Sequence, residues 1–304
     1  MAYFETRPEE LSELGKLVFE KVKEEYALNK NVPAERMQEY VKVLNQAHTD
    51  WLKARAAQDF GLLEETLTKV VAFQKEFIPY WQKEEKTPYD VLLNQFEPGM
   101  TVEKLDQVFD QVKQGIQEIR TVLAEKGTPL RTDFLSRKMT KEQQRRFVIG
   151  VVEQLGYDFS KGRLDDTVHP FMTALNRNDA RITTRWEENN FSMATFGVIH
   201  EAGHGMYEQN FDPKFDFTPL SEGASMGIHE SQSLFNEIII GSNRAFWQKQ
   251  YPFFQECAEG TFDDIAFEDF YASLKETKAS LIRIDSDSLT YPLHIIIRYE
   301  IEKK

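Results

Sequence analysis

The sequence predicts a mainly α, multi-helix fold with one small β element. Three observations carry this. Gly (15) and Pro (11) are scarce in 304 residues, whereas a sandwich or barrel needs many turn residues. Most of the first half repeats apolar residues every three to four positions, the period of an amphipathic helix. One stretch, residues 157 to 186, drops that period for turn formers and a β-prone run. With 41% hydrophobic residues the chain can bury a sizeable core, and its length leaves one large or two smaller domains open.

The helices follow in order. PEELSELGKLVFEKVKEEY (residues 8 to 26) sets Leu11, Leu14, Val18 and Val22 in one stripe. VPAERMQEYVKVLNQAHTDWLKARAAQ (32 to 58) opens at Pro33, tolerated where the N–H has no helical partner. LLEETLTKVVAFQKEFIPYWQ (62 to 82) is ended or kinked by Pro79. TVEKLDQVFDQVKQGIQEIRTVLAEKG (101 to 127) runs from a Thr101 cap to Gly127. TKEQQRRFVIGVVEQLG (140 to 156) begins with a capping box, Thr140 with Gln143, and stops at Gly156.

Beyond the irregular stretch, whose β-prone run covers residues 181 to 186, comes a helix bearing GVIHEAGHGMYEQN (197 to 210). A loop, NFDPKFDFTPLSEGAS, leads to the helix MGIHESQSLFNEIIIG (226 to 241). Three more helical stretches follow, the last being YPLHIIIRYEIEKK, which reaches Lys304 without a stop signal. No repeat or linker divides the chain. It reads as a single domain over 1–304, with an N-terminal helical part (1–156) and a second part (157–304) that carries the histidine motif.

Fifty acids against 37 bases give a net charge of −13. A field of that sign repels phosphate backbones and anionic lipid, so neither nucleic acid nor a membrane surface is an expected partner. No apolar run approaches the ~20 residues of a bilayer span, and the start, MAYFETRPEE, has no signal-peptide pattern. The single Cys257 cannot form an internal disulfide. A cytoplasmic protein is the expectation.

The chemistry concentrates at His200, Glu201 and His204. Positions i and i+4 share a helix face about 5–6 Å apart at Cβ, so both imidazoles can reach one metal ion. Glu201 is rotated about 100° from His200, poorly placed as a third equivalent ligand but able to take a proton from an activated water. HExxH is therefore read as two ligands and a general base. A shuffled chain of this composition would contain the pattern roughly once in a hundred trials. A catalytic site needs a third protein ligand and an open position. The metzincin pattern fails, because Tyr207 and Asn210 stand where its Gly and His would be. Glu222, Glu230, Glu237 and His229 are the candidates, with Glu230 leading because it opens the next helix.

The wording around these residues resembles the carboxypeptidase Taq family of metallocarboxypeptidases, gluzincin-like enzymes with an HExxH helix. HEAGHGMYEQ resembles its metal helix, and SMGIHESQS (225 to 233) resembles its HESQ signature. DARIT (179 to 183), with HPF at 169 to 171, resembles DxRxT. IRIDSD (282 to 287), followed by LTYPLHIIIRYEIE, resembles IRxxAD with Ser286 in place of Ala. The resemblance implies a helical metallopeptidase domain with a long groove closed at one end. It implies release of single amino acids from peptide C-termini by a homodimer. Zinc is the implied metal, with Co2+ or Mn2+ as substitutes, held by His200, His204 and Glu230 with Glu201 as base.

Further roles are expected beside these. Residues 179 to 184, as an edge strand next to the metal helix, would pair with substrate backbone, with Thr183 among the contacts. Arg283 first, and Arg181 second, would grip the terminal carboxylate through the bidentate guanidinium fork. Asp179 and Asp287 would orient a ligand imidazole, and His229 would hydrogen-bond a tetrahedral intermediate. His48, His169 and His294 are assigned structural roles. Family members are longer, and their last signature, GxxQDxHW, is not among these residues. A fragment, half of a split enzyme and a short relative are all compatible with that. Two rival functions remain: an oligoendopeptidase-like enzyme, and a non-catalytic metal-binding helical module.

Overall fold

The computed structural model describes residues 1–283 and 286–304. Its helices are α1 (Ala2–Glu5), α2 (Glu13–Asn29), α3 (Ala34–Ala57), α4 (Gly61–Trp81), α5 (Pro88–Asn94), α6 (Val102–Lys126) and α7 (Lys141–Leu155). Strands β1 (Leu164–Asp166), β2 (Met172–Asn176) and β3 (Asp179–Thr184) follow. Then come α8 (Phe191–Gln209), α9 (Met226–Leu234), α10 (Arg244–Cys257), α11 (Phe267–Ser273) and α12 (Tyr291–Glu302). The mainly helical fold with a small sheet is the one the sequence predicts. Among the described residues no helix is long and apolar enough to cross a membrane. Contacts divide the chain into two compact units, Met1–Val102 with Thr218–Leu220, and Glu103–Phe217 with Ser221–Lys304.

In the first unit the apolar stripe of α4 makes the core. Phe73, Phe77 and Trp81 recur one turn apart and bury with Val32 and Val91. Tyr40 of α3 meets the Phe73 and Phe77 rings at 5.5 and 5.4 Å. Two boundaries differ from the sequence reading. Pro8–Glu10 forms a separate 3-10 turn, and α2 starts only at Glu13, where the Ser12 hydroxyl accepts from Gly15 N at 3.0 Å. Pro79 lies inside α4, which ends at Trp81.

In the second unit α7 has both of its expected stops. Thr140 and Gln143 form the reciprocal capping box, and Gly156 closes the helix at φ 114°. Phe147, Phe191, Trp247, Phe254, Phe262 and Phe270 are all at most 1% exposed. They interlock by edge and tilted contacts, such as Phe191–Phe254 at 4.9 Å and Phe254–Phe270 at 5.0 Å. This aromatic core backs α8 and holds its buried residues Val198, Ile199 and Ala202.

The sheet corrects one expectation. Its order is β1-β3-β2, with β3 parallel to β1 and antiparallel to β2. Residues 179 to 184 are therefore the middle strand, paired by β2 along 179 to 182 and by β1 along 182 to 184, so neither side is a free edge along its full length. The crossover that places β1 on the far side of β3 leaves no local trace in the sequence.

Candidate metal centre

The residues around the motif are small because one backbone and one aromatic ring pass close to α8. A Cβ on Gly203 would lie 2.7 Å from Gln232 O and 2.7 Å from Ser233 Cα. One on Gly205 would lie 2.7 Å from the Tyr157 ring, whose hydroxyl donates to Ala180 O at 2.6 Å. The absent side chain at 203 lets α9 approach α8, and the one at 205 admits the tyrosine that ties α8 to β3.

That approach brings one carboxylate to two imidazoles. His200 and His204 lie one turn apart on α8, and Glu230 reaches them from α9. Glu230 Oε2 is 3.3 Å from His204 Nε2 and 3.7 Å from His200 Nε2. One donor atom from each of the three lies within 4.8 Å of the others. Tetrahedral ligands with bonds of 2.0–2.2 Å stand about 3.3–3.6 Å apart. Two imidazole nitrogens and a carboxylate oxygen at these separations fit a divalent cation of the zinc type.

Each imidazole is held from behind. His200 Nδ1 donates to Glu237 Oε2 at 2.8 Å. His204 Nδ1 is 2.7 Å from His229 Nδ1, and His229 Nε2 donates to Glu208 Oε1 at 3.0 Å. Burial presses His200 toward its neutral form, but the hydrogen bond and charge of Glu237, with Glu230 and Glu201 beside it, outweigh that and keep its pKa above the ordinary imidazole value. The His204 hydrogen bond holds Glu230 below the usual carboxylate range. Glu201, 7% exposed, is pushed up to about 7, chiefly by burial; His200 lowers it and the charges of Glu230 and Glu237 raise it. A carboxylate poised near neutrality beside a metal-type donor set is suited to taking and returning a proton.

The other expected residues have partners of their own, and two of them stay near the donor set: His229 against His204, and Arg283 through Tyr291, whose hydroxyl feels the charges of Glu230 and Glu237. Asp179 forms a bidentate pair with Arg181, with both contacts at 2.7 Å, so neither an imidazole nor a free fork is involved. Thr183 Oγ1 donates to Phe171 O at 2.8 Å and accepts from Phe171 N at 2.9 Å, which commits it to the sheet. Asp287 accepts from Leu289 N at 2.9 Å and from the Thr290 hydroxyl at 2.7 Å, shaping the turn before α12 rather than a histidine. Both ring nitrogens of His229 are engaged within the protein, not turned toward a substrate. Arg283 is exposed and donates to the Tyr291 hydroxyl at 2.9 Å. Ile284 and Asp285 of the same motif lie outside the described residues. Sequence reasoning weighed Glu237 only as a rival ligand and did not single out Glu208. Each stands at a legible spacing, Glu208 one turn after His204 and Glu237 two turns after Glu230.

A sequence profile of the carboxypeptidase Taq (M32) metallopeptidases matches residues 2–304. The chain belongs to this family. Carboxypeptidase 1 of Bacillus subtilis is 48% identical over 297 residues, 98% of this chain and 59% of that protein. The crystal structure titled BsuCP superposes with a TM-score of 0.94 at 47% identity, covering 99% of this chain and 61% of that one. The M32 carboxypeptidase of Deinococcus radiodurans R1 gives 0.88 at 36% identity, with 96% and 59% covered. The chain spans about three-fifths of the length of the M32 relatives it matches. Membership in a metallopeptidase family agrees with the donor set assembled by α8 and α9.

Proposed function

We propose that this chain carries the metal centre of a carboxypeptidase that removes single amino acids from peptide C-termini, with zinc as the metal and cobalt or manganese as substitutes. The observation that carries the reading is the convergence of His200, His204 and Glu230, with buried Glu201 adjacent. A divalent cation bound there supplies Lewis-acid activation of water and polarisation of the scissile carbonyl. Glu201, buried beside the donor set, accepts the water proton and returns it to the leaving amine. Arg283, exposed and forked, takes the terminal carboxylate and so selects chain ends over internal bonds. Peptides, not nucleic acid or membrane, suit the −13 net charge. A homodimer in a reducing, cytoplasmic setting belongs to the same reading, supported by the family resemblance and by the lone, buried Cys257.

The test is incubation of the zinc-loaded chain with peptides labelled at either end. Stepwise loss of C-terminal residues supports the proposal. Internal cuts favour an endopeptidase, and intact peptides beside bound zinc favour a non-catalytic metal module; either overturns it.

A further inference from the structure

The two metal-facing imidazoles are supported differently. α8 and the helix continuing from α9 run antiparallel, so the earlier histidine meets the later carboxylate and the later histidine meets the earlier residues. His200 therefore faces Glu237 directly at 2.8 Å. Glu237 sits within a π-helical segment, Phe235–Ile240, closed by Gly241 N donating to Asn236 O at 2.7 Å. Such wide turns are uncommon and often occur at functional sites. His204 is supported through a relay. Glu208 lies one turn after His204 on the same helix, and His229 from α9 is inserted between them. The Glu208 and His229 side chains are only 13% and 14% exposed.

Donor and acceptor roles follow from what each group can do. An ionised carboxylate only accepts, so His229 Nε2–H donates to Glu208. The Nδ1 of a neutral His229 is then an acceptor, which requires His204 to carry its proton on Nδ1. His200 likewise carries its proton on Nδ1, toward Glu237. With the Nδ1 protons so placed, Nε2 of His200 and His204 is the nitrogen turned to Glu230, and loss of the proton it shares with that carboxylate in the metal-free chain exposes the lone pair with which an imidazole binds a cation.

We propose that Glu237, and Glu208 acting through His229, are positioning residues that set how tightly the centre holds its metal, by fixing both imidazoles with Nε2 turned to Glu230. The inference rests on reading the three-residue cluster as a metal centre. Groups that hydrogen-bond the far nitrogen of a ligand histidine are each worth about 10–100-fold in metal affinity. The supports are unequal. A carboxylate one bond from His200 acts more strongly than one acting through a second imidazole on His204.

The test is zinc affinity of the full chain, read by competition with a chelating indicator at one pH. Glu237→Ala and Glu208→Ala are each expected to raise the Kd for Zn2+ by about 10–100-fold, with Glu237→Ala the larger. Glu237→Gln loses less, because its amide oxygen still accepts from His200 Nδ1–H, and this isosteric variant guards against failure to fold. Glu208→Ala should add nothing once His229 is replaced by Phe, because its route to His204 is then gone. Metal-free variants should unfold at the temperature of the parent, and the visible spectrum of the Co2+-loaded Glu237 variants should shift. Zinc binding within twofold of the parent in both alanine variants overturns the inference while leaving the metal centre intact. A parent chain that binds no zinc overturns both.

Discussion

Gly203→Ala probes the close approach on which the site depends. The new methyl carbon would lie 2.7 Å from Gln232 O and Ser233 Cα, and ordinary contact begins at 3.4 Å. Both atoms belong to backbone, so no rotamer change relieves the clash and α9 must withdraw by about 0.7 Å. Ser233 lies one turn from Glu230, so the withdrawal carries the third donor with it. Metal–ligand bonds tolerate errors of only about 0.2 Å, so zinc affinity should fall at least about tenfold, which corresponds to about 1.4 kcal/mol. The strain of one inserted methyl costs about 1–3 kcal/mol, partly offset by the ~1 kcal/mol that Ala gains over Gly inside a helix. Denaturant unfolding of the metal-free chain measures the strain, and chelator competition measures the affinity. Gly197→Ala is the control on the same helix, because its methyl would meet only Thr184 Oγ1 at 3.9 Å. It should leave zinc binding unchanged and stabilise by up to about 1 kcal/mol. A Gly203→Ala chain that matches the parent in both measurements refutes the argument that helix proximity builds the site.

Other substitutions test separate parts of the account. Glu201→Gln should retain zinc, measured by metal analysis, while peptide release falls about 10²–10⁴-fold, because the proton acceptor is lost and the ligands are not. Phe254→Ala empties the centre of the aromatic core and should cost about 3–5 kcal/mol in denaturant unfolding. Thr140→Ala removes one half of the α7 capping box and should cost about 1 kcal/mol, with Thr140→Ser restoring most of it.

Local chemistry made much of the fold legible, and long-range pairing hid the rest. The start and stop of α7 followed from Thr140, Gln143 and Gly156, because capping is settled within four residues. The same chemistry was present at Thr87, Pro88 and Asp90, yet α5 has only seven residues, too few for an apolar period to announce it. The first long helix was read from Pro8, but the Ser12 cap moved its start to Glu13. The order β1-β3-β2 depends on a crossover, so the edge role expected for residues 179 to 184 could not be tested against sequence alone.

At the site, the His200 and His204 spacing was visible as one helical turn, and Glu230 stood out through its place on the following helix and the resemblance. The supports were not visible as such. Glu237 meets His200 only because α8 and α9 pack antiparallel at Gly203, in a register that two separate helical patterns do not encode. Asp179 and Asp287 looked equally able to orient an imidazole, but a neighbouring guanidinium and a turn backbone claimed them first.

The most direct measurement is an anomalous-difference map from crystals of the zinc-loaded chain, collected at the metal edge. The account predicts a single strong peak within about 2.2 Å of Nε2 of His200, Nε2 of His204 and a carboxylate oxygen of Glu230. A peak bound elsewhere, or a zinc ion on the two histidines with Glu230 turned away, would contradict it.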